Sequence, residues 1–324
     1  MMEFSDSIYG RHEITEPVIL ELLESPAVLR LKGISQAGVP VKYNVPGLID
    51  VSRYDHSFGV FLLLRKLDAS IEEQIAGLLH DISHLAFSHV ADWLFHDGGA
   101  VGSQEDYHEL IKEKFIANTD IPEIIGKYGF DSRAIFDEDR YSLLERPLPE
   151  LCADRLDYSI REIHNQLEIQ GSTFSNNLAL FEGQIIFTDQ DIATLFAEKF
   201  LYLQKSHWGS ASDAIRFSHF VKALTIALKG GMIQEADFFG TEKPIMDKIE
   251  NSGNEEIKRI LSNLKDSSFE DKVGREGVKV YKKFRYVDPK ISIEGNPKNL
   301  SAIDGRFLKA LEIARFENSQ GIIV

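Results

Sequence analysis

Residues 78–89 read Leu78-Leu79-His80-Asp81-Ile82-Ser83-His84-Leu85-Ala86-Phe87-Ser88-His89. Ile71, Ile75, Leu78 and Leu79 precede and enter this stretch at the spacing of a buried helical stripe. The stripe runs straight into an adjacent His-Asp pair. Imidazole and carboxylate are good ligands for first-row divalent metals. Neighbours on a helix point about 100° apart, so both reach one ion only at a helix end or a concave junction. His80 and Asp81 sit at such an end. His84 follows four residues after His80, on the same face if the helix continues.

Working outward, the chain is predicted to be mainly helical. A short helix carrying Val18, Ile19, Leu22 and Leu23 stops before Ser25-Pro26, because a residue before proline avoids the helical region. Residues 34–52, with Gly38, Pro40, Pro46 and Gly47, read as a loop. A helix from about Ser57 to Leu67 precedes the one at Ile71–Leu79, so His56 can pack back onto His80. Residues 97–103 break the chain. Leu156, Ile160, Ile163 and Leu167 mark a helix starting near Cys152, and Asp154, Asp157, Tyr158 and Arg161 form a polar stripe beside that apolar face. Residues 184–187 read as a strand. Two further helices carry Phe196 with Phe200 and Phe217 with Leu228, the second ending at Lys229-Gly230-Gly231. Residues 278–287 and 291–293 alternate as strands, and a helix occupies about 304–317. These patterns divide the chain softly into a helical domain, 1–235, and a smaller mixed α/β module, 236–324.

The composition excludes several classes. Apolar residues make up 43% and charged residues 27%, a globular balance rather than a disordered one. No apolar run approaches the roughly 18 residues of a membrane span, so no membrane partner is expected. The N-terminus lacks a basic segment followed by an apolar one, so it does not read as a secretory signal. Cys152 is the single cysteine and cannot form an intramolecular disulfide, so a cytoplasmic location is expected. Lys plus Arg number 36 against 51 Asp plus Glu, a net charge of −15. Extended nucleic acid is therefore not an expected partner, and any phosphate substrate needs a local source of positive charge. The basic residues Lys279, Lys282, Lys283 and Arg285 are expected on a solvated strand face, with a partner- or phosphate-binding patch as the alternative.

Six of the ten histidines fall between residues 56 and 108. The order His56, His80-Asp81, Asp154, each at a helix edge, points to a metal centre. This order resembles the H…HD…D signature of the HD superfamily of metal-dependent phosphohydrolases. Within it, Arg53-Tyr54-Asp55-His56-Ser57, the 80–89 segment, His108-Glu109 and Asp154-Arg155-Leu156-Asp157-Tyr158 resemble the deoxynucleoside triphosphate triphosphohydrolase-like branch, over roughly residues 20–235.

The resemblance implies an HD-type helical bundle and a set of roles. His56, His80, Asp81 and Asp154 would ligate a divalent ion (Mn, Mg, Fe, Co, Ni or Zn). His84, His89, Asp92 and His108 would form the catalytic group, with His108 a candidate general acid. Arg53 and Arg155 would contact phosphates, Tyr158 the sugar, and Glu162 would hydrogen-bond that sugar. The implied activity is hydrolysis of a small nucleotide, first a (deoxy)nucleoside triphosphate. A nucleoside monophosphatase, a phosphodiesterase and an inactive nucleotide-binding scaffold are the alternatives. Relatives with this signature are often oligomeric, so a homo-oligomer is expected. The chain departs from the branch at Ser83 and Leu85-Ala86, where the branch has Gly and Gly-Pro. It also carries Glu162 where the branch often has Asp, and lacks its Tyr-x-x-x-Tyr-x-His-Lys segment.

Overall fold

The computed structural model describes residues 2–45, 47–96, 106–266, 279–293 and 295–323. The expected break at 97–103 lies outside them. The chain opens with an antiparallel hairpin, β1 (Met2–Asp6) and β2 (Gly10–Ile14). Helices α1 (Pro17–Glu24) and α2 (Pro26–Arg30) follow, then α3 (Arg53–Lys66) and α4 (Ile71–Leu79). Next come α5 (His89–Phe95), α6 (Tyr107–Ala117), α7 (Ile121–Lys127), α8 (Ser132–Ile135), α9 (Ala153–Leu167) and α10 (Ser172–Ser175). Strands β3 (Leu178–Phe181) and β4 (Gln184–Phe187) lead to α11 (Gln190–Leu203), which runs on into a π-helical turn, Gln204–Trp208. Then come α12 (Ala211–Lys229), α13 (Glu242–Glu250) and α14 (Glu255–Leu264). The remainder comprises β5 (Lys279–Val280), β6 (Lys290–Ile293), β7 (Asn296–Asn299), α15 (Leu300–Ile303), α16 (Gly305–Ser319) and β8 (Ile322–Ile323). No helix among the described residues is long and apolar enough to cross a membrane.

Helix α3 is the central rod. Ten of its fourteen residues are buried, as befits a helix apolar on almost every side. It begins at Arg53, four residues before the expected start, because Ser52 caps it by accepting the Asp55 backbone N–H. Ser70 caps α4 in the same way through the Glu73 N–H. The two helices pack together, and α9 lies across α3. Gly59 permits that crossing: a β-carbon there would collide with the Arg161 guanidinium and the Asp157 carboxylate of α9.

Two apolar clusters form, and neither breaks at residue 235. The larger surrounds α3, α4, α9 and α11 and takes in Val287, Ile291, Leu300, Phe307 and Leu311 from the last third. The smaller joins Leu85–Leu94 on the one side to α12, α13 and α14 on the other. The four-stranded sheet runs β3-β4-β6-β7, with Phe187 of β4 beside Ile291 of β6 in parallel. The C-terminal strands thus complete a sheet begun at residue 178.

Of the strand expected over 278–287, residue 278 lies outside the described residues, and among the described ones only Lys279–Val280 is a strand, paired with Ile322–Ile323. Residues 281–289 run without a sheet ladder. Alternation reports which side chains point inward; the Lys282 and Lys283 carbonyls accept from the side chains of Asn318 and Gln204, and Asp288 and Pro289 bond the backbone at Pro149 and Leu300.

Candidate metal centre

The α4 helix ends at Leu79, and His80 caps it with helical torsions. The chain then turns, so His84 is placed by that turn and not by a continued helix: its N–H bonds the Asp81 carbonyl. Phe87 and Ser88 both have positive φ, 71° and 46°. Such torsions are costly for side chains of this kind and persist where neighbours enforce them. Here they do. Ser88 Oγ donates to the Ser35 carbonyl at 2.6 Å and accepts from Arg53 Nε at 3.0 Å, while Glu242 accepts from the Phe87 N–H. This strained turn carries the substituted positions Leu85 and Ala86 and aims His84 and His89 back at α4.

His56, His80, Asp81 and Asp154 converge. The His56 and His80 rings lie 5.1 Å apart. His56 Nε2 is 2.9 Å from Asp154 Oδ1 and 3.7 Å from Asp81 Oδ2. His80 Nε2 is 3.5 Å from both Asp81 Oδ1 and Asp154 Oδ1. The tautomers follow from partners that can only accept. His80 Nδ1 donates to the Gly77 carbonyl at 2.8 Å, and His56 Nδ1 donates to Asp157 Oδ2 at 2.8 Å. Both Nε2 atoms therefore face the carboxylates. His80 Nε2 is buried without a hydrogen-bond partner.

That orphaned atom and the convergence of two imidazoles with two carboxylates fit a divalent cation. The electrostatics agree. Burial pushes the His80 pKa down, but Asp81 and Asp154 outweigh it and lift it to about 10. His56 is likewise raised against burial by Asp154 and Asp157. Without an ion, protons supply the positive charge the carboxylates need. Metal binding then releases them.

Asp157 and Arg161 went unassigned in the sequence reading. Asp157 is fully buried and also accepts from Arg161 Nε at 2.7 Å, and Arg161 continues to Asp6 of the N-terminal hairpin at 2.7 Å. The polar stripe on α9 is thus divided: Asp154 joins the His56–His80 cluster that could hold an ion, and Asp157 fixes the ring of His56. A carboxylate behind a ligating histidine sets its tautomer and raises its basicity.

The second group sits alongside. Asp92 accepts from His89 Nδ1 at 2.8 Å and from His108 Nδ1 at 3.0 Å. His84 stacks on His108 with ring centres 3.8 Å apart, and its Nε2 is 3.3 Å from Asp81 Oδ1. Ligating atoms of His84, His89, Asp92 and His108 all lie within 4.8 Å of one another. Burial lowers the His84 pKa far below the ordinary range, and the charges of Arg53 and His108 push the same way. Burial also depresses His108, but bonds to Asp92 and Glu109 overcome it and raise the pKa to about 9. A neutral imidazole thus stacks on a cationic one.

Both groups open on one cavity of about 850 Å³. Arg53 lines it, with Nη1 2.7 Å from Asp81 Oδ2. Tyr158 lines it beside Trp208, at 5.3 Å between ring centres. Arg155 and Glu162 line it too, but their polar atoms are engaged within the protein. Arg155 grips the preceding loop through the Glu150 and Arg146 carbonyls and the Glu145 carboxylate. Glu162 accepts from His207 Nδ1 and Trp208 Nε1, each at 2.6 Å. The phosphate contact expected of Arg155 and the sugar contact expected of Glu162 are not what those bonds display. Glu145 also reaches the cavity, its carboxyl raised to about 7 by burial and by Asp154.

The HD domain family model matches residues 53–160. The Bacillus subtilis protein YdhJ is 34% identical over 329 residues, spanning 100% of this chain and 98% of its own. The metal-dependent phosphohydrolase cns2 of Cordyceps militaris is 29% identical over 92% of this chain and 88% of its own. The deoxynucleoside triphosphate triphosphohydrolase SAMHD1 of Gallus gallus is 29% identical over 40% of this chain and 24% of its own. The ligand set assembles from the elements that the HD model covers, and the protein belongs to the HD superfamily of metal-dependent phosphohydrolases.

Proposed function

We propose that the enzyme hydrolyses a phosphoester of a small nucleotide, with a (deoxy)nucleoside triphosphate as the best-suited substrate. The observation that carries this reading is the shared cavity: His80, Asp81 and Asp154 and the Asp92-held histidines face one space of about 850 Å³. That is the size of a small-molecule site rather than a groove for a polymer. The partial similarity to SAMHD1 supports the triphosphate.

A bound divalent ion supplies Lewis-acid polarisation of a phosphoryl oxygen and a water of lowered pKa. Arg53, fixed by Asp81 and Ser88, holds a positive charge at the cavity wall. Asp92 presents His89 and His108 by their Nδ1 atoms. The His108 proton that can reach the leaving oxygen is on Nε2, which lies 3.3 Å from Glu109. General acid catalysis of this kind is worth about 10²–10⁴-fold.

The pH dependence follows. His108 acts as an acid while protonated, so turnover is expected to fall as pH rises through about 9. Asp92→Asn removes a group that raises this pKa, so the alkaline limb of the kcat profile should move to lower pH. An unmoved limb would assign the acid elsewhere.

Substrate choice is tested with deoxynucleoside triphosphates, nucleoside monophosphates and cyclic nucleotides, each with Mn²⁺, Mg²⁺ or Co²⁺. Release of inorganic triphosphate is expected. Orthophosphate from a monophosphate, with no turnover of triphosphates, would replace this reading with the monophosphatase. Opening of a cyclic nucleotide would replace it with the phosphodiesterase.

A further inference from the structure

We propose that residues Tyr281–Arg285 form a second anion-binding wall of the cavity, which receives the substrate phosphates that do not sit at the metal centre. This rests on the nucleotide reading above and extends it to a named part of the substrate. Tyr281, Lys282, Lys283 and Arg285 all line the cavity that holds the metal ligands. They come from the last third of the chain, outside the matched HD segment.

The wall is a built feature. Its backbone has no strand partner, yet it is held from two sides. Gln204 Nε2 donates to the Lys283 carbonyl at 3.3 Å, and Asn318 Nδ2 donates to the Lys282 carbonyl at 3.0 Å. Gln204 is itself buried, and lies in the π-helical turn that breaks the end of α11. Such turns are frequent at functional sites. The same turn carries His207, whose Nδ1 bond to Glu162 raises its pKa and favours the cation.

The three basic side chains divide their work. Lys282 is the anchor. Its ammonium lies 2.8 Å from Asp213 and over the rings of Trp93 and Phe217, at 5.1 Å and 4.7 Å. Asp213 balances its charge. Lys283 and Arg285 line the same cavity from a backbone that Lys282 fixes, so both add positive charge to its wall. The chain carries a net charge of −15, and Asp106, Glu109, Glu145 and Glu162 also line this space. One metal ion and Arg53 can balance one phosphate. A polyphosphate needs further positive charge, and cations on a fixed wall provide it with less ordering cost than loose lysines.

The test compares 2′-deoxyadenosine 5′-triphosphate with the 5′-monophosphate as ligands of the full chain after removal of metal by chelation. The fixed cations remain and hydrolysis is suppressed, so calorimetry reads affinity alone. Lys283→Ala/Arg285→Ala is expected to shrink the preference for the triphosphate at least about tenfold, the effect of losing a charged hydrogen bond. The Lys283→Arg variant should keep that preference. A preference equal in the wild type and the double variant would overturn the wall. Turnover is measured separately in Mn²⁺-loaded protein. Failure to hydrolyse any nucleotide would overturn the nucleotide reading of the substrate, while the affinity ratio would still decide the wall.

Discussion

Asp81→Ala is expected to lose the metal and to lower kcat/KM by about 10³-fold or more. Lewis-acid stabilisation is worth several kcal/mol, and about 4 kcal/mol corresponds to three decades of rate. Asp81 is also the counter-charge of Arg53, and both side chains are less than a tenth exposed. Removing it strands a buried guanidinium, which costs about 3–5 kcal/mol in stability. The metal-free alanine variant should therefore unfold at lower denaturant than the metal-free wild type. Asp81→Asn separates the two effects. It keeps an acceptor for Arg53 and most of the volume, but gives up the anionic ligand. Metal content and kcat/KM measured on both variants check the assignment. An asparagine variant that retained its metal and its rate would exclude Asp81 as a ligand.

The second large effect lies one layer behind the ion. Asp157→Ala is expected to weaken metal affinity by about 10–100-fold, the usual consequence of losing the carboxylate behind a ligating histidine. Asp157 is completely buried and holds both His56 and Arg161, so the variant frees one ring and leaves Arg161 with Asp6 as its carboxylate partner. The metal dependence of turnover should shift to higher concentration, with a smaller loss at saturation. Gly59→Ala should act in the same direction, because its β-carbon would displace the Asp157–Arg161 pair. An unchanged metal dependence in Asp157→Ala would mean that His56 is oriented by something else.

What the sequence revealed tracks how local the physics is. Helices α3, α4 and α9 were legible because apolar spacing acts within a few residues, while the Ser52 cap that starts α3 at Arg53 was not read. The metal centre was legible because its ligand types are rare at helix ends, and His56, His80, Asp81 and Asp154 do converge. The end of α4 at Leu79 was legible, but His84 would share the face of His80 only on a continued helix; a strained turn held by Ser35, Arg53 and Glu242 places it instead. All three of those partners lie more than 30 residues away, and no periodicity reports them. The segment 281–285 shows the same limit more sharply. Its alternation suggested a solvated strand, whereas Gln204 and Asn318 pin its backbone and Asp213 pins Lys282 against the cavity. Long-range side-chain bonds made that wall, and composition alone recorded only an acidic chain in need of local positive charge. The polar stripe on α9 was visible with Asp154 as its candidate ligand, but that Asp157 bonds His56 depended on where α3 crossed it.

The most direct test of the account is hydrolysis of a deoxynucleoside triphosphate followed while Mn²⁺ is titrated into the chelator-treated protein. Turnover is expected to be absent at the start and to rise in step with metal bound, with His80→Ala failing to recover. Undiminished turnover in the stripped protein, before any metal is added, would contradict it.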